Sequence, residues 1–196
     1  MDPTALLRPG LLDGRTIALG GGGPFAPSLA ELGATPATLP LTLDEDDAAA
    51  HARAAVTAHG ALAALVHDLR PAFGSGGHDG LRATLDGAWV TIRAVANAAW
   101  IEPARDGGTV VLVAPAPGGA QDPNADGVRG AAENLARTLS IEWSRFGIRT
   151  VAITPGARTT DGELAALAAY LVSPAGGYFS GARLALGEVA ETPSAG

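Results

Sequence analysis

Short, continuously apolar runs alternate along the chain with longer alanine-rich segments whose apolar positions recur at helical spacing. The apolar runs predict strands at residues 16–19, 37–41, 62–66, 109–113, 149–153 and 183–186. The periodic segments predict helices at residues 27–32, 46–58, 81–104, 124–146 and 162–171. Because the strands of a parallel sheet are covered on both faces, this pattern predicts an α/β fold, a doubly wound, Rossmann-like parallel sheet flanked by helices.

Composition narrows the class of protein further. With 196 residues, 47% of them hydrophobic, the chain can build one domain with a full core, predicted at residues 1–190 and followed by a loose tail at 191–196. A net charge of −7 without any basic run disfavours nucleic acid as a partner. The chain has no cysteine, no secretory leader pattern and no apolar run of about eighteen residues, so we expect a cytoplasmic protein without a membrane segment.

Residues 125–156 carry the most specific pattern, ADGVRGAAENLARTLSIEWSRFGIRTVAITPG. This stretch resembles the helix and strand that hold the catalytic tyrosine and lysine of the short-chain dehydrogenase/reductase family, usually YxxxKAAxExLxRxLAxEW followed by GIRVNAVxPG. Alignment on Glu133, Arg137 and Trp143 puts the tyrosine position at Ala125 and the lysine position at Arg129. The lysine cannot lie at a shifted register, because all 13 basic residues of the chain are arginine.

The resemblance extends over nearly the whole chain. The opening LLDGRTIALGGGG looks like the first strand and glycine turn of the family, and TLDGAWVTIRAV is similar to its NLxGAFxxTRA helix. GGTVVLVAPA is similar to its GxIVNISS strand, and YLVSPAGGYFSGARLALGE to its C-terminal segment. These matches put the catalytic serine at Ala114 and the helix asparagine at Thr84. The resemblance therefore implies a reductase fold whose proton-transfer positions hold Thr84, Ala114, Ala125 and Arg129.

A coenzyme site is the next feature that the resemblance implies. Gly20, Gly21 and Gly22 lie in the glycine turn, and Thr160 matches the threonine that contacts nicotinamide in the family. Pro24 removes an amide donor from the turn, so the alternative is a strand-to-helix turn that keeps its glycines for backbone shape. For Thr160 the alternative is a helix N-cap. We expect these positions to be vestigial, with no cofactor on this chain.

Two regions are shorter than the family pattern. Residues 33–62 have room for one strand and one helix, where the family has two of each. After Thr160 the chain passes almost directly into the last helix, so the segment that covers the substrate in the family is missing. A water-excluding substrate site is hard to build without such a lid.

The four histidines are scattered without a metal-ligand spacing, and no metal site is predicted. His67 and Asp68 follow a predicted strand, and ligands of open α/β sheets bind at the carboxyl ends of the strands. A rearranged acid site at His67, Asp68 or Arg129 therefore stays open as an alternative.

Two long helices keep their family pattern, 81–104 and 124–146. In the family, the matching helices form a four-helix dimer interface, and the segment SGARLALG matches a second common interface. The candidate interface residues are Trp89, Arg93, Ala96, Trp100, Glu133, Arg137 and Ile141. The alternative is that the additional aromatic side chains are buried within the monomer.

These observations predict a non-catalytic subunit that pairs with an active ketoreductase paralogue of the same family. NADP is expected on the partner, which would reduce a 3-oxoacyl group, and a carrier protein would reach this chain only through the complex. Both the paralogue and the substrate class are implied by the resemblance, including its known pairs of active and inactive subunits in bacterial secondary metabolism. The alternatives are a self-sufficient oxidoreductase or lyase with a rearranged site, a nucleotide-sensing regulator and a homodimeric scaffold.

Overall fold

The computed structural model describes residues 7–101 and 107–187. Within this part, the strands are β1 (Thr16–Gly20), β2 (Thr35–Leu39), β3 (Ala64–Asp68), β4 (Thr109–Val113), β5 (Arg149–Pro155) and β6 (Arg183–Leu186). The helices are α1 (Phe25–Glu31), α2 (Glu45–His59), α3 (Arg70–Phe73), α4 (Gly77–Ala96), α5 (Pro123–Glu142) and α6 (Asp161–Val172). Three parts of the prediction lie outside the described residues. They are the end of the predicted domain, the predicted tail at 191–196 and residues 102–104 of the predicted helix 81–104.

The six strands form one parallel sheet in the order β2-β1-β3-β4-β5-β6. Ile17 pairs with Ala64 between β1 and β3, and Val111 pairs with Val151 between β4 and β5. Strands β3 and β4 are buried along their whole length, as expected for strands covered on both faces. The predicted fold class, a Rossmann-like parallel sheet flanked by helices, is confirmed.

Each face of the sheet has its own hydrophobic core. One core contains residues of α2, α4 and α5, and the other contains residues of α1 and α6. Successive strand residues alternate between the two cores: Leu65 of β3 belongs to the first and Val66 to the second. Each fully buried aliphatic side chain of this kind contributes about 1.5–3 kcal/mol relative to an exposed one.

The predicted bounds of β4 and β6 are confirmed, while other elements differ at their ends. Strand β2 begins two residues before the predicted range and ends before Pro40, which has no amide hydrogen for a continuing ladder. Helix α3 was not predicted, because four residues are too short for a periodic pattern. Helix α5 ends at Glu142 and a separate 3₁₀ turn follows at Ser144–Phe146.

The predicted shortening is confirmed in both regions. Residues 33–62 form only β2 and α2, so β2 is the edge strand of the sheet. Five residues, 156–160, join β5 to α6. Among the helices of the described residues, none is long and apolar enough to cross a membrane.

Candidate functional site at the carboxyl edge of the sheet

All six strands run in the same direction, so their carboxyl ends meet along one edge of the sheet, called here the carboxyl edge. The glycine turn follows β1 at this edge, His67 and Asp68 close β3, and Ala114 follows β4. Ligands of open α/β sheets bind along this edge, between loops that follow neighbouring strands.

The positions predicted to match the family's catalytic residues are Thr84, Ala114, Ala125 and Arg129, and the first three are buried. Ala114 and Thr84 are fully buried, and the Thr84 hydroxyl donates to the carbonyl oxygen of Gly80 at 2.7 Å. Ala125 is 3% exposed, and a Cβ atom built on Gly118 would lie 2.9 Å from the Ala125 Cβ. The chain after β4 therefore closes over Ala125, so the position lacks the space for a tyrosine ring as well as its hydroxyl.

Arg129 stands at the lysine position and joins two backbone segments of the carboxyl edge. Its Nη1 donates to the carbonyl oxygen of Pro115 at 2.9 Å and to that of Pro155 at 2.6 Å. Its Nε lies 3.8 Å from the Asp126 carboxylate, and the side chain is 11% exposed. The guanidinium thus links the chain after β4 to the end of β5. An arginine stays protonated, so it cannot take part in proton transfer as a lysine at this position could.

The glycine turn packs closely on the end of β3. A Cβ atom at Gly20 would lie 2.1 Å from Nδ1 of His67, and one at Gly21 would lie 2.3 Å from the carbonyl oxygen of Asp68. Gly21 and Gly22 also have positive φ, of 85° and 76°. This packing explains the glycines without a nucleotide.

A buried carboxylate lies beside the glycine turn. A Cβ atom at Gly23 would lie 2.5 Å from Oδ2 of the buried Asp68 carboxylate. Helix α1 spans seven residues, and Pro24 at its N-cap makes no side-chain cap bond and has no amide hydrogen. The turn therefore offers fewer amide donors than a turn that binds a pyrophosphate in dinucleotide-binding folds.

Arg70 links Asp68 to the first residue of α6 across the carboxyl edge. Its Nε donates to Oδ1 of Asp68 at 2.9 Å, and its Nη2 donates to Oδ2 at 2.8 Å, a bidentate pair. Its Nη1 donates to Asp161 at 2.8 Å, and the guanidinium lies 6.0 Å from the centre of the Phe25 ring. The hydrogen bond with Asp68 raises the pKa of Arg70, against the opposing effect of burial.

His67 and Asp68 do not come together in one site, because their side chains lie on opposite faces of the sheet, and the alternative of a rearranged site at His67, Asp68 or Arg129 stays a hypothesis. Neighbouring residues of a strand point to opposite faces of the sheet. His67 lines a cleft beside α4, whereas Asp68 pairs with Arg70 on the face of Phe25 in α1. Burial lowers the pKa of His67 to about 4, so its imidazole is neutral near pH 7.

Thr160 is the N-cap of α6. Its Oγ1 accepts a hydrogen bond from the Glu163 amide at 3.3 Å, and the Glu163 carboxylate accepts from the Thr160 amide at 2.8 Å. The hydrogen bond from the Thr160 backbone amide also lowers the pKa of Glu163. This reciprocal capping box satisfies both groups and is the structural alternative to a nicotinamide contact.

Helices α4 and α5 present the aromatic surface on which the predicted interface depends. Trp89 is 39% exposed and stacks on Trp143 with ring centres 6.4 Å apart, while Ile141 is 75% exposed. Arg93 lies over the Trp89 ring and pairs with Glu45. We call the group Leu85, Trp89, Leu135, Ile141 and Trp143 the α4–α5 surface.

A shallow cleft and an ion pair accompany this surface. The cleft has a volume of about 300 Å³ and lies between Leu85 and Trp89 of α4 and Leu135 of α5. Glu133 pairs with Arg137 at 2.7 Å and lies 3.5 Å from Arg183 of β6.

Two of the predicted interface residues lie inside the monomer, so those two assignments are wrong. Ala96 is fully buried and Trp100 is 1% exposed, and the Trp100 indole donates to the carbonyl oxygen of Leu62 at 2.7 Å. In a continuous α-helix Trp100 would lie about three turns from Trp89 on the same face. Trp100 lies in a π-helical turn at Asn97–Ile101 that follows α4, and Ala96 is buried one residue before this turn begins.

The ion pairs of Arg70 with Asp68 and Asp161 at the carboxyl edge could be predicted only in part from the sequence. The sequence singled out Asp68, but it gave no signal for Arg70 or for Asp161, which is 91 positions further along the chain. Among the described residues, no group of three or more potential ligands could hold a metal ion.

Known structures share this architecture. A citronellol catabolism dehydrogenase from Pseudomonas aeruginosa superposes with a TM-score of 0.74 and 23% identity, over 92% of this chain and 96% of that one. A hydroxysteroid dehydrogenase from Escherichia coli gives 0.73 and 17% identity, over 90% and 97% of the two chains. An enoyl-acyl carrier protein reductase from Bacillus cereus, solved with NADP⁺, gives 0.72 and 16% identity, over 90% and 96%.

The fold is therefore that of the short-chain dehydrogenases/reductases, and these structural neighbours are oxidoreductases. No protein-family model and no curated protein matches the chain by sequence.

Proposed function

We propose that this chain is the catalytically silent subunit of a heteromeric reductase and pairs with an active, NADP-dependent short-chain reductase. The observation that carries the proposal is the replacement of the catalytic constellation by inert groups. Ala114 and Ala125 match the serine and tyrosine positions, and Arg129 Nη1 donates to two backbone carbonyl oxygens. A general acid for carbonyl reduction must reach the substrate and release a proton near neutral pH, which none of these side chains does.

The proposal includes the absence of a coenzyme on this chain. Its support is the Asp68 carboxylate against the glycine turn and the Arg70 bridge to Asp161 over the same edge. A dinucleotide would have to displace this network to bring its phosphates to the glycine turn. NADP accordingly belongs to the partner subunit.

Pairing through the α4–α5 surface is the second part of the proposal. Trp89 and Ile141 are large apolar side chains at least one-third exposed on adjacent helices. Aromatic side chains are enriched at protein interfaces because they bury a large area at a low entropic cost. The paired charges of Glu133 and Arg137 lie beside this surface, where a polar rim is expected.

The substrate of the complex is proposed as a 3-oxoacyl group bound to a carrier protein, in bacterial secondary metabolism. The support is the sequence resemblance, together with a structural neighbour that acts as an enoyl-acyl carrier protein reductase. The carrier protein would bind the active partner, and the complex would work in the cytoplasm.

The test is size-exclusion chromatography with light scattering on the chain alone and on the chain co-expressed with an intact YxxxK reductase encoded beside it. We expect a stable mixed complex whose NADPH-dependent ketoreduction disappears when the partner's tyrosine is replaced. A soluble homo-oligomer that ignores the reductase would contradict the proposal and favour the homodimeric scaffold.

Two matched variants test which surface pairs. Ile141→Glu places a charge on the α4–α5 surface, at a residue that is 75% exposed, and is expected to abolish the mixed complex. Tyr178→Glu changes an even more exposed residue, 93% accessible, near β6 and is expected to leave the complex intact. The opposite ranking of the two variants would move the interface to β6.

A further inference from the structure

Two arginines lie at the opposite edge of the sheet, where the strands begin, called here the amino edge. Arg15 immediately precedes β1, and Arg149 is the first residue of β5. Side chains two positions apart on a strand share a face, and Ile17 and Val151 both belong to the core that contains residues of α1 and α6. Arg15 and Arg149 therefore lie on the same face of the sheet, opposite to the face of α4 and α5.

The side chain of Arg149 extends along this edge toward β1. Strands β4 and β3 lie between β5 and β1 in the sheet. The Nη2 of Arg149 donates to Oγ1 of Thr109, the first residue of β4, at 2.7 Å. Burial lowers the pKa of Arg149, and the positive charge of Arg15 lowers it further. The two guanidinium groups are thus near enough to repel each other.

Neither arginine forms an ion pair with a carboxylate within residues 7–101 and 107–187. Arg149 Nη1 is buried beside Gly177 without a hydrogen bond. Arg15 makes no side-chain hydrogen bond to the described residues, and Nε is its only buried nitrogen without a partner. Its two Nη nitrogens are therefore accessible from solvent.

Two partly buried cations side by side are costly without a counter-charge. Each loses part of its hydration, and each raises the energy of the other. Buried N–H donors without acceptors are also rare in folded proteins and call for a partner. An anion between the two guanidinium groups would remove the repulsion and would accept hydrogen bonds from the Nη nitrogens of Arg15.

We propose that Arg15 and Arg149 bind a phosphate dianion at the amino edge, either inorganic phosphate or the phosphate group of a monoester. Guanidinium groups bind oxyanions through parallel N–H···O bonds. An ion of charge −2 compensates both arginines, whereas a monoanion compensates only one. The chain as a whole carries a net charge of −7, so anion binding here depends on this local pair.

The experiment is a titration of the full chain, labelled with ¹³C on arginine, with inorganic phosphate and with acetate at equal ionic strength. We expect saturable shifts of the Arg15 and Arg149 side-chain signals with phosphate, and an affinity for phosphate at least about tenfold higher than for acetate. The absence of saturable shifts at these two residues, or equal affinities for the two anions, would overturn the proposal.

Variants assign the site. Arg15→Met is the decisive change, because it removes a charge and no hydrogen bond within the described residues, and it should lower the phosphate affinity at least about tenfold. Arg149→Lys keeps the charge without the planar guanidinium and should have a smaller effect. Arg53→Met, at an exposed arginine of α2, should leave the affinity unchanged. Equal losses in Arg15→Met and Arg53→Met would contradict the assignment.

The melting temperature gives a second readout. A ligand that binds only the folded chain stabilises it by mass action. Phosphate should therefore raise Tm of the unmodified chain above its value in chloride of equal ionic strength, and Arg15→Met should abolish this difference. A difference retained in Arg15→Met would place the phosphate elsewhere.

Methyl phosphate, the simplest monoester, separates the two sources of the dianion. Binding as tight as that of inorganic phosphate would assign the site to a phosphate group carried by a larger molecule. Much weaker binding would assign it to free phosphate. Both results support a site for a phosphate dianion.

This proposal is independent of the pairing proposal. The amino edge and the α4–α5 surface lie on different parts of the molecule, and the titration uses the chain alone. Either proposal can therefore fail without the other.

Discussion

At the scale of single residues, the Asp68–Arg70 pair dominates the carboxyl edge. Asp68 is 1% exposed and Arg70 is 28% exposed, and the carboxylate accepts hydrogen bonds from the Arg70 guanidinium and from the Arg70 backbone amide, so the guanidinium is its one charged partner among the described residues. A buried charge that loses its partner is far more costly than a surface pair that is broken.

Arg70→Met is therefore expected to lower the free energy of unfolding by about 2–4 kcal/mol, measured by urea denaturation at pH 7. Removing the charge of the partner as well, in Asp68→Asn/Arg70→Met, should recover part of this loss. Arg82→Ala, which breaks an exposed pair with Asp86, should change stability by less than about 0.5 kcal/mol. Equal effects of Arg70→Met and Arg82→Ala would mean that the Asp68 carboxylate is solvated.

Restoring the catalytic residues provides a second residue-scale prediction. Ala125→Tyr places a ring where the backbone of Gly118 packs, so overpacking should cost at least about 1–3 kcal/mol. Glu142→Tyr, at an exposed position of the same helix, should be nearly neutral.

The double variant Ala125→Tyr/Arg129→Lys should not oxidise NADPH with a 3-oxoacyl substrate, because the Asp68–Arg70 pair still fills the edge. The measurement is the absorbance of NADPH with the purified variant alone. A stable, active double variant would show that only two side chains separate this chain from a reductase.

The resemblance to the family assigns candidate positions in the sequence but not what surrounds them. Thr84, Ala114, Ala125 and Arg129 could be assigned because they lie at fixed spacings within matched segments. Arg70 could not be assigned a role, because its two carboxylate partners come from β3 and from α6. Long-range pairs of this kind leave no local pattern.

At the scale of elements, α6 shows how a short sequence signal fixes a helix start. Thr160 and Glu163 have the spacing of a capping box, and the structure contains both of its hydrogen bonds. Only five residues, 156–160, connect β5 to α6, so this capping box fixes where the helix begins after the strand.

Thr160→Ala is expected to lower the free energy of unfolding by about 1 kcal/mol, because it leaves the Glu163 amide without its acceptor. Thr57→Ala removes a hydroxyl that donates to the Arg53 carbonyl inside α2 and serves as the control, with a change below about 0.5 kcal/mol. Chemical denaturation measures both. A Thr160→Ala chain of unchanged stability but lower affinity for NADP would instead assign Thr160 to a coenzyme site.

Helix α4 shows the limit of periodicity. The apolar stripes predicted one continuous helix with Trp89 and Trp100 on the same side, but α4 ends at Ala96 and Trp100 lies buried in the π-helical turn at Asn97–Ile101. Periodicity predicts which residues share one side of a helix, but only the packing of other elements decides which of them are covered.

At the scale of the whole molecule, β2 is the edge strand of the six-stranded sheet. The chain after β2 borders a cleft beside His67 with the exposed Leu41 and Leu43. The α4–α5 surface lies elsewhere, on the outer side of the helical layer. The pairing of this surface with an active reductase, and the effect of Ile141→Glu on that pairing, are predictions at this scale.

The sequence by itself determined the six strands, the long helices and the parallel α/β class. These depend on local periodicity and on spacings within single segments, which the chain carries directly. Tertiary structure alone decided that Trp100 is buried and that His67 and Asp68 lie on opposite faces of the sheet. It also decided that Arg70 pairs with Asp161 of α6 across the carboxyl edge. Each of these depends on the rotation of an element or on contacts between distant segments, and such contacts exist only when the sheet and its helices have packed.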